Sequence, residues 1–375
     1  MMRKTVSKEA SMKTLIYSSE IANKKEAFAL LSNVLKYRSV LEEIIAKAGL
    51  MKAEKSLTEY QALLITHQLL FFKGRRPWGR FKKVVSRQKT RLRSELARLK
   101  IKKKVSRNED LVPEEYRKDL ILPRYVRINL AKIALDEAVA KFLGEGYIET
   151  APETDPSILP ATGTFRRDIH LSDLLIFPSN SDFHDHQLYL DGNKTTHLAS
   201  LMKGTGTIHA LDADPRRLNI LRSNAKRQGH RCIQPCLVDF LKTDPTTYAD
   251  VGFILLDPSC SGSGIISRKN GLVDTEEIGQ ERLESLAKFQ LDALSHAMQF
   301  PGAKKIVYST CSVHREENES VVEKALERNP EWGLGSSVLP SWSRRGKLGD
   351  GGGMVSCCPR EDLTIGFFAA LLIRK

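Results

Sequence analysis

The stretch Phe253-Ile254-Leu255-Leu256-Asp257-Pro258-Ser259-Cys260-Ser261-Gly262-Ser263-Gly264 decides how this chain is read. Its first four residues form an uninterrupted apolar run, the pattern of a strand buried on both faces of a sheet. The acid and the thiol then fall just past the carboxyl end of that strand, the edge at which open α/β sheets bind ligands. The glycines let backbone approach a substrate closely. A second loop, Tyr308-Ser309-Thr310-Cys311-Ser312, follows another short apolar strand, Ile306-Val307. A lone cysteine is usually a small core residue. Two strand-end cysteines on one edge of one sheet point to chemistry instead.

Working outward, strands are expected at Thr207–Asp212, Cys232–Leu237, Gly252–Leu256, Lys305–Tyr308 and Gly366–Ile373. Helices are expected at Asn193–Met202, Pro215–Gln228, Glu281–Phe300 and Glu317–Glu327. This alternation predicts a largely parallel, Rossmann-like α/β sheet over residues 187–375. Upstream, Arg124 to Asn129 alternates as a strand, Leu135 to Leu143 has helical spacing, and His170 to Phe177 is again strand-like. Pro152, Pro156, Pro160 and Gly163 punctuate the connection. A small α/β subdomain is therefore expected over 123–186.

Residues 1–122 read as a helical region. Leu30, Leu31, Val34, Leu35 and Leu41 recur at helical spacing between about Ser19 and Gly49, and a second helix is expected from Leu57 to Phe72. The chain carries a net charge of +14, and one segment holds all of the excess. Between Lys73 and Arg107 there are 16 Lys plus Arg and one acid, Glu95, while the rest is nearly neutral. Charge concentrated in this way reads as a polyanion-binding or nuclear-import element, against the plainer reading of a solvated arm. Leu92, Leu96 and Leu99 give its last part a narrow apolar stripe, so a basic amphipathic helix is expected. Trp78 and Phe81 are placed either to stack on bases or, as is commoner, to pack the arm onto the body.

Composition narrows the class further. The chain has 375 residues, 41% of them hydrophobic, enough for one large core plus a smaller domain. No apolar run is long enough to span a bilayer, and Met1-Met2-Arg3-Lys4 is followed by no signal-like apolar stretch. A soluble, intracellular protein is expected. The six cysteines then read as reduced thiols. Cys232 and Cys236 lack a second ligand pair at finger-like spacing, so no metal is expected there.

The strand ends also suggest a cofactor. Ile208-His209-Ala210-Leu211-Asp212 finishes on an acid, where Rossmann-like sheets hold ribose hydroxyls. Arg217 lies a helical turn beyond, and Asp239, after the next strand, is placed to meet an adenine amino group. Singly, each is as readily an exposed loop residue. At successive strand ends they favour a nucleoside cofactor.

Two thiols and an acid suit methylation of a pyrimidine. C5 of cytosine is a poor nucleophile. A thiolate that adds to C6 pushes electron density onto C5, which then attacks an electrophilic methyl group. An acid near N3 stabilises the adduct, and a base must remove the C5 proton before the thiol leaves. Asp257, Cys260 and Cys311 supply these residue types.

At these residues the chain resembles the Sun-domain RNA cytosine-5 methyltransferases, over roughly its last two thirds. Asp257 to Gly264, and Tyr308-Ser309-Thr310-Cys311-Ser312 with Glu316-Glu317-Asn318-Glu319, match that family's two specific cysteine motifs. The resemblance implies Cys311 as nucleophile, Cys260 as an aid to resolving the adduct, Asp257 as a contact to base and cofactor, and S-adenosyl-L-methionine as methyl donor. The Thr-Cys loop sets the chain apart from DNA cytosine methyltransferases, which use a Pro-Cys nucleophile. His184-Asp185-His186, the Arg282–Phe300 helix and Thr364-Ile365-Gly366-Phe367-Phe368 are similar to the fifth branch. That branch implies large-subunit ribosomal RNA as partner and a nuclear, nucleolar location.

One departure matters. Gly192-Asn193-Lys194-Thr195 matches the end of the family's cofactor loop, opening a helix whose N-terminus would face the methionine carboxylate. The family places an apolar strand and an Asp-x-Cys-(Ala or Ser)-Ala-Pro stretch before it. Here the chain runs straight from His186 through Gln187-Leu188-Tyr189-Leu190-Asp191. The first central strand is expected to be absent, or replaced by a shortened Gln187–Leu190, a gap of the kind a splice variant or gene-model error leaves. Two readings follow: an active methyltransferase, or an RNA-binding or ribosome-assembly protein impaired in catalysis.

Overall fold

The structure is a computed structural model that describes residues 15–16, 19–72, 78–112, 120–155, 158–183, 186, 194–265, 279–349 and 351–375. The described residues form two compact units, one drawn from Met1–Asp119 and one from Leu120–Arg268 with Val273–Lys375.

The first unit is helical: α1 (Lys24–Lys36), α2 (Arg38–Ala48), α3 (Leu50–Ala53), α4 (Glu59–Leu70) and α5 (Lys82–Lys102). The single helix expected from Ser19 to Gly49 is two, broken at Tyr37, whose ring is buried in the core between them. Gly49 stops α2 at φ +61°, the left-handed cap that glycine adopts without steric cost. Thr58 and Gln61 cap α4 reciprocally, each side chain accepting the other's backbone N–H. The basic helix forms as α5. Val85, Leu92 and Leu99, spaced by seven, are buried, while Lys82, Lys83, Lys89, Arg91 and Arg93 are exposed. Trp78 and Phe81 pack partly buried against the same core, the commoner of the two roles weighed for them.

The second unit opens with four strands, β1 (Arg124–Arg127), β2 (Ile148–Glu149), β3 (Thr164–Arg167) and β4 (Leu174–Phe177), in the order β1-β4-β3-β2, with α6 (Leu135–Gly144) packed on them. Phe142, Phe165, Phe177 and Phe183 fill the space between helix and sheet. The sequence pattern showed only β1, α6 and β4. The strand expected from His170 begins at Leu174, because the Asp168 carboxylate accepts the His170 and Leu171 amides and holds that stretch as a turn.

Next come α7 (Lys194–Leu201), β5 (Ile208–Asp212), α8 (Pro215–Gln228), β6 (Ile233–Leu237), β7 (Phe253–Leu256), α9 (Gln280–Ala297), β8 (Lys305–Thr310), α10 (Glu319–Arg328), β9 (Trp332–Leu334), β10 (Met354–Cys357), α11 (Pro359–Asp362) and β11 (Phe367–Arg374). β7 and β8 are parallel, but β11 runs antiparallel to β8 and pairs on antiparallel to β10 and β9. The sheet is therefore more mixed than the sequence pattern predicted. Antiparallel pairing imposes no crossover rule, so the alternation of strands and helices gave no sign of the direction of β11. Phe368, Ala370 and Leu372, alternating along β11, pack with Leu294, Ala297, Val321 and Val322 of α9 and α10.

β5 and β6 pair in parallel with each other and, among the described residues, with no other strand. The two parallel pairs, β6-β5 and β7-β8, match places 3-2 and 4-5 of the doubly wound order 3-2-1-4-5. No described strand takes place 1. Side chains on β7, beside that place, are open: Phe253 is 71% and Leu255 36% exposed. No described helix is long and apolar enough to cross a membrane.

Candidate active site

The loops after β7 and β8 bring Cys260 and Cys311 together, with their sulfurs 3.2 Å apart. Backbone fixes this approach. The Gly264 amide donates to the Cys311 carbonyl at 2.9 Å, and the Gly366 amide to the Gly264 carbonyl at 2.8 Å. A Cβ on Gly264 would lie 2.2 Å from the Gly366 oxygen, so only glycine fits this crossing. The Ser261, Ser263 and Ser312 hydroxyls lie within 3.2 Å of one another and lace the two loops further.

Asp257, immediately after β7, faces two donors. Its Oδ1 accepts from Ser309 Oγ at 2.9 Å and its Oδ2 from Lys194 Nζ at 2.7 Å. Lys194 begins α7, so the described end of the cofactor loop reaches the cysteine side of the site; its ammonium also lies 5.5 Å from the Phe367 ring. Lys194 and Asp257 are 44% and 43% exposed, so the pair adds only about 0–1 kcal/mol of stability and stays open to a substrate.

The thiols share one easily lost proton. The Cys311 thiol donates to the Cys260 sulfur, and with the Gly262 and Cys311 amides it draws the Cys260 pKa down to about 7 against the effect of burial. The same bond, with burial and the charges of Cys260 and Asp257, pushes the Cys311 thiol up, while Lys194 opposes the rise. Cys260 is thus the more acidic of the two thiols when Cys311 is the donor.

At the other strand ends, Asp212 Oδ1 accepts from Arg217 Nη2 and from the Asp214 amide, both at 2.8 Å. Arg217 thus holds Asp212 in place. The Asp212 side chain is 27% exposed, and a carboxylate has acceptor capacity beyond two bonds. Asp239 caps a short 3-10 turn, accepts the Leu241 amide at 3.2 Å and is exposed. The carboxylates of Asp212, Asp239 and Asp257, each left accessible at a strand end, fit the hydroxyls and amino group of a nucleoside. Gly192 and Asn193 lie outside the described residues, as do His184-Asp185 and Gln187–Leu190.

Sequence reasoning assigned nothing to Gln290, Tyr308 or Glu317, which are wholly buried beside the cysteines. Glu317 accepts the Ser261 amide at 2.8 Å and Gln290 Nε2 at 2.9 Å. A signal existed at Gln290. It occupies the apolar stripe of α9 shared by Leu283, Leu294 and Ala297, where an amide is out of pattern unless something holds it.

Comparison with known proteins agrees with this architecture along the whole chain. Residues 182–373 match the family described as 16S rRNA methyltransferase RsmB/F. Residues 25–112 and 122–194 match the N-terminal and ferredoxin-like domains of NOL1/NOP2/Sun domain family member 5. The chain belongs to the Sun-domain RNA cytosine-5 methyltransferase family, in its fifth branch. It is 38% identical to a 28S rRNA (cytosine-C(5))-methyltransferase of Mus musculus, over 98% of this chain and 88% of that one. With the 25S rRNA (cytosine-C(5))-methyltransferase rcm1 of Schizosaccharomyces pombe it shares 35% identity, over 97% and 88%. Among solved structures, that of PH0851 superposes with a TM-score of 0.65 at 18% identity, covering 98% of this chain and 96% of the other. A methyltransferase homologue from Pyrococcus horikoshii gives 0.53 at 21% identity, covering 72% and 91%. These likenesses show a shared fold. The mouse alignment runs to 415 positions against 375 residues here, so at least 40 positions of that relative have no counterpart in this Sun-domain chain.

Proposed function

We propose that this Sun-domain protein methylates C5 of a cytosine in large-subunit ribosomal RNA, with S-adenosyl-L-methionine as methyl donor and a covalent bond from Cys311 to C6. The observation that carries the reading is the 3.2 Å approach of two thiols that share one proton beside an accessible carboxylate. As Cys311 attacks C6, its proton passes along the existing bond to the Cys260 thiolate, so a thiol of raised pKa becomes a nucleophile without waiting for solvent. Asp257, placed between Lys194 and Ser309, enters this step carrying a proton, donates it to N3 as negative charge develops there, and takes it back when the adduct breaks down. S-adenosyl-L-methionine supplies an electrophilic methyl group, and Asp212, Asp239 and Lys194, with Gly192 and Asn193, are the residues that would hold it. After methylation the C5 proton leaves to a base, the C6–S bond breaks, and Cys260 returns its proton to the departing Cys311 sulfur. The pair is then restored.

The exposed face of α5, with Lys82, Lys83, Lys89, Arg91 and Arg93, supplies phosphate contacts for structured RNA. The same substrate implies a nucleolar location, which microscopy of the tagged protein checks. Mass spectrometry of ribosomal RNA from cells whose only copy carries Cys311→Ala is expected to show 5-methylcytosine lost at one position; unchanged modification removes Cys311 from its role. Cys260→Ala is expected to accumulate a covalent protein–RNA adduct.

A second reading rests on the gap between β5 and β7. A chain whose sheet lacks its central strand loses the frame that aligns Asp212 with Asp257, and it would then serve as an RNA-binding assembly factor. Calorimetric titration with S-adenosyl-L-methionine separates the two, because folded protein that takes up none supports the second.

A further inference from the structure

Cys260 sits in a peptide segment gripped on both sides by one buried pair of side chains. On its N-terminal side, the Ser259 carbonyl accepts from Gln290 Nε2 at 3.1 Å. On its C-terminal side, the Ser261 amide donates to Glu317 Oε1 at 2.8 Å. The two grips are joined, since Gln290 Nε2 also donates to Glu317 Oε1 at 2.9 Å. Tyr308 locks the join from beneath: its hydroxyl donates to the Glu317 carbonyl at 2.5 Å and lies 3.3 Å from Gln290 Oε1. Gln290, Glu317 and Tyr308 come from α9, from the turn after the Cys311 loop and from β8, so three elements converge on one cysteine.

The energetics single out Glu317. Its residue is 0% exposed, it forms no ion pair among the described residues, and its Oε2 has no hydrogen-bond partner there. A buried carboxylate compensated only by two neutral donors costs several kcal/mol relative to an apolar side chain of the same shape. Packing alone would favour Leu or Met. A group kept against stability beside a reacting thiol points to a task at that thiol.

We infer that Gln290 and Glu317 are positioning residues, a clamp that holds the Cys260 thiol against Cys311 so that it can return the proton when the RNA adduct breaks down. The backbone bond from Gly264 to Cys311 fixes the far end of the loop, whereas the clamp fixes the peptide of Cys260 itself. Without it the loop remains attached but the thiol swings free of its partner. The inference rests on the covalent mechanism proposed above only for its last step. The geometric part stands by itself.

The test reads the two parts separately. Oxidised glutathione takes two electrons and two protons from the facing thiols, leaving a Cys260–Cys311 disulfide and two reduced glutathiones. The rate of closure, followed by non-reducing peptide mass spectrometry, reports how well the thiols are held together. Glu317→Ala is expected to close at least tenfold more slowly than wild type, and Glu317→Gln, whose carbonyl still accepts the Ser261 amide, within about threefold. Should Glu317→Ala not fold, Gln290→Met, which removes both amide donors at similar volume, carries the same tenfold expectation. Each variant is then incubated with a large-subunit ribosomal RNA transcript and S-adenosyl-L-methionine. Adduct should form more slowly than in wild type in Glu317→Ala, because Cys260 also takes up the Cys311 proton, but once formed it should persist as it does in Cys260→Ala, an accumulation that a general loss of stability does not produce. Unchanged disulfide closure in folded Glu317→Ala overturns the clamp. Slow closure with adduct in Cys260→Ala and none in Glu317→Ala overturns its role in release. Slow closure with no adduct in any variant leaves the clamp standing and removes the proposed mechanism instead.

Discussion

Protonation of a single sulfur sets the behaviour of the free site. Cys260 has its pKa drawn down to about 7 by the bond from Cys311, whereas Cys311 is pushed up by the same bond. Alkylation needs a thiolate. As pH rises through about 7 the anionic fraction of Cys260 grows, so its alkylation by iodoacetamide is expected to rise through a midpoint near pH 7 and level off above it. Cys311 should stay silent over that range until Cys260 has reacted. Peptide mass spectrometry checks the order, and faster labelling of Cys311 would overturn the assignment of the charge. The two thiols and Asp257 were legible in the sequence because their loops follow apolar strands. Their division of charge was not, since it depends on a 3.2 Å distance between residues 51 positions apart. Gln290 stayed unread, and Glu317 was read as part of a motif without a role, for a related reason: neither grips a neighbour in sequence.

Local signals served the elements well wherever one residue type has one job. Gly49 as the end of the first helical stretch and Pro215–Gln228 as the bounds of α8 are read from sequence and stand so in the structure, where Asp214 and Gly229 cap α8. Signals failed where pairing decides. β2 has two residues and exists because β3 lies beside it, and β9 has three that pair with β11. No period can be read from so few positions. The crossing of Gly264 under Gly366 is likewise tertiary, and it makes a prediction. Gly264→Ala forces a Cβ to within 2.2 Å of a carbonyl oxygen, so the loop must shift. A loss of about 1–3 kcal/mol is expected from overpacking of this kind, seen as a lower Tm, together with slower Cys260–Cys311 disulfide closure. In the helical unit, replacing Lys89, Arg91 and Arg93 on the exposed face of α5 with Gln should weaken RNA binding. The slope of log affinity against log salt should fall by about 0.7–0.9 for each phosphate that is no longer neutralised. A slope that does not change would remove α5 from the RNA interface.

At the scale of the whole molecule, the interrupted sheet is the feature that most constrains what this chain can do. β5 and β7 each have one edge without a described partner, and Phe253 and Leu255 of β7 are exposed. A monomer leaves such edges open at the risk of pairing with other chains. The alignment with the mouse relative has at least 40 positions without counterpart here, more than enough for a strand and its loops. The sequence placed the loss before Gly192, and the topology breaks at the sheet position that such a strand occupies. A chimera that receives the mouse relative's corresponding segment between His186 and Lys194 should therefore close the sheet. Covering these two large apolar side chains contributes about 1.5–3 kcal/mol each when burial is complete. At roughly 2–4 °C per kcal/mol for a unit of this size, Tm should rise by about 6 °C or more. Affinity for S-adenosyl-L-methionine should rise in step, because the added strand would align the Asp212 end of the cofactor site with the Asp257 end. An unchanged Tm would mean that the two edges are already satisfied without it. A raised Tm with unchanged affinity would separate the repair of the sheet from the repair of the cofactor site, and would place the remaining defect in the loop that ends at Lys194.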